Sequence, residues 1–82
     1  MILAVDAGNS RIKWGLRDGD TWAAAGAVPG GDTAALSRAW QGLPRPEKAV
    51  VSNVAGEEIR VRLGQALAPL CDDVLWAGAQ RA

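Results

Sequence analysis

Apolar residues in this chain fall in short runs separated by turn formers, the pattern of a small sheet crossed by a few helices. Met1 to Val5 is an apolar run suited to a buried strand, and it ends on Asp6 and the turn Ala7-Gly8-Asn9-Ser10. Beyond that turn the chain alternates, with Ile12, Trp14 and Leu16 on one side and Arg11, Lys13 and Arg17 on the other, so a second strand folds back on the first. Arg17-Asp18-Gly19-Asp20 closes the next hairpin, because Asp-Gly takes the positive φ values of a tight turn. A third strand from about Thr21 to Val28 is mostly Ala and Gly, poor strand formers, so it is expected to lie at a sheet edge or to owe its place to pairing with its neighbour, with Trp22 as its one bulky anchor.

Pro29-Gly30-Gly31 breaks the pattern, and Asp32 or Thr33 can cap a helix through about Gln41 with Leu36, Ala39 and Trp40 on one face. Gly42 stops it, and Pro44-Arg45-Pro46 returns the chain across the sheet. Lys48 to Ser52 reads as a fourth strand buried on both faces. Ser52 or Asn53 can cap a second helix, with Glu57 and Glu58 in its first turn where the helix dipole favours negative charge. Its packing stripe is Ile59, Leu63 and Leu67, extended by Ala66, while Arg60, Arg62 and Gln65 face water; Pro69 ends it. Val74 to Ala77 is a fifth strand, and the last residues, Gln80-Arg81-Ala82, add no capping element. The expected fold is α/β, a ribonuclease H-like half-domain with a five-stranded mixed sheet in the order 3-2-1-4-5. Two right-handed crossovers moving the same way put both helices on one face.

The 82 residues allow one domain or a piece of one. Lys+Arg and Asp+Glu both total 9, so no basic excess offers a hold on nucleic acid or acidic lipid. A single cysteine, Cys71, and the absence of histidine exclude an internal disulfide and a structural zinc site; Cys71 reads as a small buried residue in a reducing compartment. No segment is long enough to cross a membrane, and Met1 to Val5 is too short for a secretory signal, so a cytoplasmic location is expected. With no Phe or Tyr, the four tryptophans Trp14, Trp22, Trp40 and Trp76 are read as the large core fillers.

The first turn carries the candidate chemistry. Gly8 has no Cβ to keep an anion from the backbone, and the turn N–H groups, the Asn9 amide and the Ser10 hydroxyl can donate to phosphate oxygens. Lys13 adds a point charge, and Asp6 is placed to bind Mg²⁺ directly or through its water. Spacing alone equally allows an ordinary polar turn.

The run Asp6-Ala7-Gly8-Asn9-Ser10-Arg11-Ile12-Lys13 resembles the first phosphate motif of the type III pantothenate kinases, D-x-G-N-[TS]-x-x-K, and Ser52-Asn53-Val54-Ala55-Gly56 resembles a second segment of that family. The family has the actin, hexokinase and Hsp70 type of ATPase fold, and some members are described as Bvg accessory factors. The resemblance implies ATP-dependent phosphorylation of pantothenate, the first step towards coenzyme A, by a homodimer that uses Mg²⁺ and a monovalent cation, K⁺ or NH₄⁺. It implies that Asp6 to Lys13 contact the nucleotide and that Asp6 holds the metal. The family's general base lies in a later G-x-D-R segment near a tyrosine, and this sequence has neither. Residues 1–82 are therefore expected to be the N-terminal portion of the kinase domain, incomplete at the C-terminus and without turnover alone. In the family a helix after the fifth strand covers the open sheet face. About 500 Å² of such cover at ~25 cal/mol/Å² is worth roughly 12 kcal/mol, against net stabilities of about 5–15 kcal/mol for complete domains. The isolated chain is thus expected to be unstable, dimeric or covered by a partner.

Other readings fit the residues less well. A non-catalytic regulatory or interaction module would have no need of Asp6, Gly8, Asn9, Ser10 and Lys13 together. A metal-dependent nuclease of this architecture needs carboxylates converging on two ions, yet the fourth strand ends in Ser52-Asn53, and Asp72 and Asp73 precede the fifth strand at the end opposite Asp6. No Walker A or dinucleotide fingerprint occurs.

Overall fold

The computed structural model describes residues 1–77. The expected lack of a capping element at Gln80 to Ala82 lies outside them. The chain runs β1 (Ile2–Ala7), β2 (Arg11–Asp18), β3 (Thr21–Pro29), α1 (Thr33–Trp40), β4 (Lys48–Asn53), α2 (Glu57–Leu67) and β5 (Val74–Ala77). The sheet order is β3-β2-β1-β4-β5, with β1 antiparallel to β2, β2 antiparallel to β3, and parallel pairs β1–β4 and β4–β5. This is the mixed sheet expected from the order of elements.

The alternation along β1 and β2 decides which side becomes core. Leu3, Val5 and Ala7 pair across to Leu16, Trp14 and Ile12, and across to Ala49, Val51 and Asn53 of β4. These residues face the two helices, and Leu3, Val5, Ala7, Ile12, Leu16, Ala49 and Val51 form one buried cluster with Leu36 and Trp40 of α1, Leu63 and Leu67 of α2, and Cys71. Trp14 meets Trp40 edge to face, with ring centroids 6.3 Å apart, the geometry that sets the positive edge of one ring against the negative face of the other. Both helices therefore lie on one face of the sheet.

The opposite face carries Ile2, Ala4, Asp6, Lys13, Gly15, Trp22, Val50, Ser52 and Leu75, and no described element covers it. Trp22 is 55% exposed and Leu75 50% exposed. Trp22 is thus not a core filler: its ring lies over Gly15 on the open face, with the Arg17 guanidinium 5.1 Å from the ring centroid. Only Trp40 is fully buried, while Trp14 and Trp76 pack at the margin of the core. Likewise β4 is buried on the helix face only; Val50 is half-buried and Ser52 exposed.

Helix starts depart from the sequence reading in one case. Asp32 caps α1, its carboxylate accepting from the Ala35 N–H at 3.0 Å. The residue before α2 is Gly56, not Ser52 or Asn53. Asn53 instead shapes the preceding loop: its Oδ1 accepts from the Ala55 N–H at 2.9 Å and its Nδ2 donates to the Gly56 carbonyl at 2.9 Å. Such a short-range turn lets an Asn side chain replace missing backbone partners.

Candidate phosphate-binding hairpin

The ladder does not stop at Val5. Asp6 and Ala7 pair with Lys13 and Ile12 on one side and with Ser52 and Asn53 on the other, so Asp6 lies within β1 rather than beyond its tip, and the connecting loop is Gly8 to Ser10. The register puts Asp6 and Lys13 directly opposite one another on the open face. Directly opposed residues have Cβ atoms about 4.5–5.5 Å apart. Their backbone positions are thereby set opposite one another at the loop end of the sheet, and no ion pair joins the two side chains.

Neither group is used up by the protein. The ion pairs among the described residues join the amino terminus to Glu47 and Arg62 to Glu58, and neither involves Asp6 or Lys13. Asp6, Asn9, Ser10, Arg11 and Lys13 are all exposed. The loop backbone is fixed on two sides. Gly8 N–H donates to the Arg11 carbonyl at 3.0 Å, and Gly30 N–H donates to the Ser10 carbonyl at 3.0 Å. The Ala7 carbonyl accepts from Val54 N–H at 3.0 Å, tying the strand end to the loop after β4. One of the expected anion donors, the Gly8 N–H, is thus engaged inside the hairpin. Those of Asn9 and Ser10 have no backbone acceptor among the described residues.

The eight residues of the motif therefore divide. Asp6, Asn9, Ser10, Arg11 and Lys13 present side chains at the surface, and a Cβ on Gly8 would meet nothing closer than the Arg11 carbonyl oxygen at 3.5 Å, so the space over that residue is open. Ala7 and Ile12 have side chains fully buried against the helices and contribute backbone only. Asp72 and Asp73, the carboxylates weighed for a nuclease, lie before β5 at the far end of the sheet, where the Asp73 carbonyl accepts from Ala49 N–H at 2.9 Å.

One depression borders the hairpin, and another lies on the far side of β1. A shallow one of about 340 Å³ on the open face runs from Asp6 and Lys13 over Ala4, Gly15 and Ala25 to Trp22. A cleft of about 490 Å³ lies at the carboxyl ends of β4 and β5, walled by Asn53, Glu57, Arg60 and Trp76, with the Arg60 guanidinium 4.6 Å from the Trp76 ring centroid. Sequence reasoning missed the role of Gly30, which read only as part of a strand breaker, because nothing in a Pro-Gly-Gly run says what it will pack against.

A three-stranded antiparallel unit followed by helix, strand, helix, strand, with its polar reversal between the first two strands, is the architecture of the actin and hexokinase class of ATPase fold. The model of the type III pantothenate kinase family matches residues 2–82, and the chain belongs to that family. Proteins named type III pantothenate kinase match it at 40% identity over 79 residues in Nitrosospira multiformis and 48% over 68 residues in Dechloromonas aromatica, covering 96% and 83% of this chain. One from Aromatoleum aromaticum matches at 40% over 83 residues, covering 99% of the chain. The chain spans 30%, 29% and 34% of the lengths of these relatives.

Proposed function

We propose that residues 1–82 supply the phosphate-binding hairpin of an ATP-dependent pantothenate kinase. The observation that carries this reading is the exposed couple of Asp6 and Lys13, aligned by strand register beside a loop whose Asn9 and Ser10 N–H groups and side chains, like the couple itself, have no partner among the described residues. The loop supplies neutral donors and Lys13 a positive charge, a set suited to the β- and γ-phosphates of a nucleotide, where catalysis rests on positioning and charge neutralisation.

The residues fit Mg²⁺ in one particular way. Among the described residues no three metal-binding side chains come together, and the carboxylate at the hairpin is that of Asp6. Mg²⁺ is ordinarily held beside a nucleotide by one or two carboxylates, with water and phosphate completing the octahedron. When bound, the ion would neutralise charge on the phosphates. Asp6 would hold it, and Lys13 would balance phosphate charge. In this reading the general base, the pantothenate contacts and the monovalent cation site are furnished by the larger remainder of the enzyme, which works as a cytoplasmic homodimer. Among the described residues no helix is long and apolar enough to cross a membrane.

Calorimetric titration of Mg·ATP into the chain and its Asp6→Asn variant tests the reading. A response in the wild type that is lost in the variant supports it; identical weak responses count against it.

A further inference from the structure

The hairpin is held in shape from outside itself. Beyond the last regular pair of β2 and β3, Arg11 with Pro29, the ladder continues for one more bond, from Gly30 N–H to the Ser10 carbonyl at 3.0 Å. The contact is closer than any side chain allows. A Cβ on Gly30 would overlap the Asn9 carbonyl oxygen and stand 3.1 Å from the carbonyl carbons of Asn9 and Ser10. These obstacles are backbone atoms of the loop and cannot swing aside as a side-chain end would. The bare glycine is thus set against the two residues whose N–H groups and side chains form the candidate phosphate cradle.

The geometry points to Gly30 as a positioning residue for that cradle. Because the Ser10 carbonyl is drawn towards β3 by Gly30 N–H, the peptide planes on either side of it are fixed before any ligand arrives. A preformed donor set costs a ligand less to engage than one it must order. Gly30 leads directly into α1: Asp32 N–H donates to the Pro29 carbonyl at 3.1 Å, Thr33 N–H to the Gly31 carbonyl at 3.0 Å, and Asp32 caps the helix. The cradle therefore leans on the junction between β3 and α1, and through α1 on the core around Leu36 and Trp40. The orientation of the loop is in this way coupled to a packed helix rather than left to a free turn. That the cradle takes phosphate rests on the function proposed above; that Gly30 sets its shape does not.

The test separates the two. Gly30→Ala is compared with Gly19→Ala, which perturbs the other hairpin, where the glycine has φ +62° and no atom within 4 Å of the added Cβ. Amide NMR spectra are recorded with and without Mg·ATP. Gly30→Ala should displace the signals of Gly8 to Arg11 and weaken Mg·ATP binding by roughly tenfold or more, since misplacement by ~1 Å is costly at a preorganised site. Gly19→Ala should leave both unchanged. Unmoved Gly8 to Arg11 signals in Gly30→Ala, or equal displacement by Gly19→Ala, would overturn the assignment. If the wild type gives no response to Mg·ATP, the phosphate reading fails, and the hairpin signals still decide the role of Gly30. Should Gly30→Ala not fold, hydrogen exchange of the wild type decides. The Gly30 amide should be protected well beyond that of Gly19, and equal rates would refute the proposal.

Discussion

Strand β2 is bounded by two reversals, and they are built differently. The second, between Asp18 and Thr21, is closed on itself: Arg17 Nε donates to the Gly19 carbonyl at 3.0 Å and Thr21 Oγ1 donates to the Asp18 carbonyl at 3.1 Å. Its glycine takes the left-handed φ that a tight Asp-Gly turn requires. The first, between Ala7 and Arg11, has no positive φ and makes no side-chain hydrogen bond among the described residues, while its backbone is held by the β3–α1 junction and the loop after β4. One turn uses its polar side chains for its own stability. The other leaves them without partners among the described residues and takes its rigidity from neighbours, an arrangement that would suit a binding loop.

Substitutions can break this contrast, and the largest effect is expected at the first turn. Asp6→Asn or Lys13→Met should weaken Mg·ATP binding by about 100-fold, the scale of losing a charge-assisted contact of about 1.5–3 kcal/mol. Neither should alter the melting temperature appreciably, since neither residue forms an ion pair among the described residues. Calorimetry and thermal melting on the same samples check both halves of the statement. Gly19→Ala should do the reverse, costing about 1–2 kcal/mol of stability because a Cβ is placed in left-handed backbone, with the nucleotide response intact; urea unfolding measures the loss. Gly8→Ala sharpens the comparison. Its φ is not positive and a Cβ has room, so unfolding should be unchanged within ~0.5 kcal/mol. Binding should fall by about five- to tenfold, because the methyl group occupies the space where an anion would approach the backbone. Smallest of all, Thr21→Ala should cost about 0.5–1 kcal/mol in urea unfolding, the worth of one exposed hydrogen bond, and leave binding alone.

Much of this architecture is legible in the residues. The alternation of Ile12, Trp14 and Leu16 against Arg11, Lys13 and Arg17 fixes which face of β2 is core, and that alternation by itself brings Lys13 beside Asp6 once the strands pair. What does not show is whatever depends on distant packing. Trp22 looks like a core residue, yet lies in the open because no described element covers its face of the sheet. The run at Ala49 to Val51 looks doubly buried for the same reason and is covered on one face only. Asn53 is a good helix cap by type, but its side chain is taken by a turn formed before the helix begins. Gly30 packs against Asn9 and Ser10, at least twenty residues away, and no local pattern could reveal that.

The central claim is that the first turn of the chain, and not the second, receives phosphate. Mapping amide shifts residue by residue during a Mg·ATP titration tests it most directly. The largest displacements should fall on Asn9, Ser10, Arg11 and Lys13, with Asp18 to Thr21 silent and the response abolished by Asp6→Asn. Displacements spread evenly over both turns, or persisting unchanged in the variant, would contradict it.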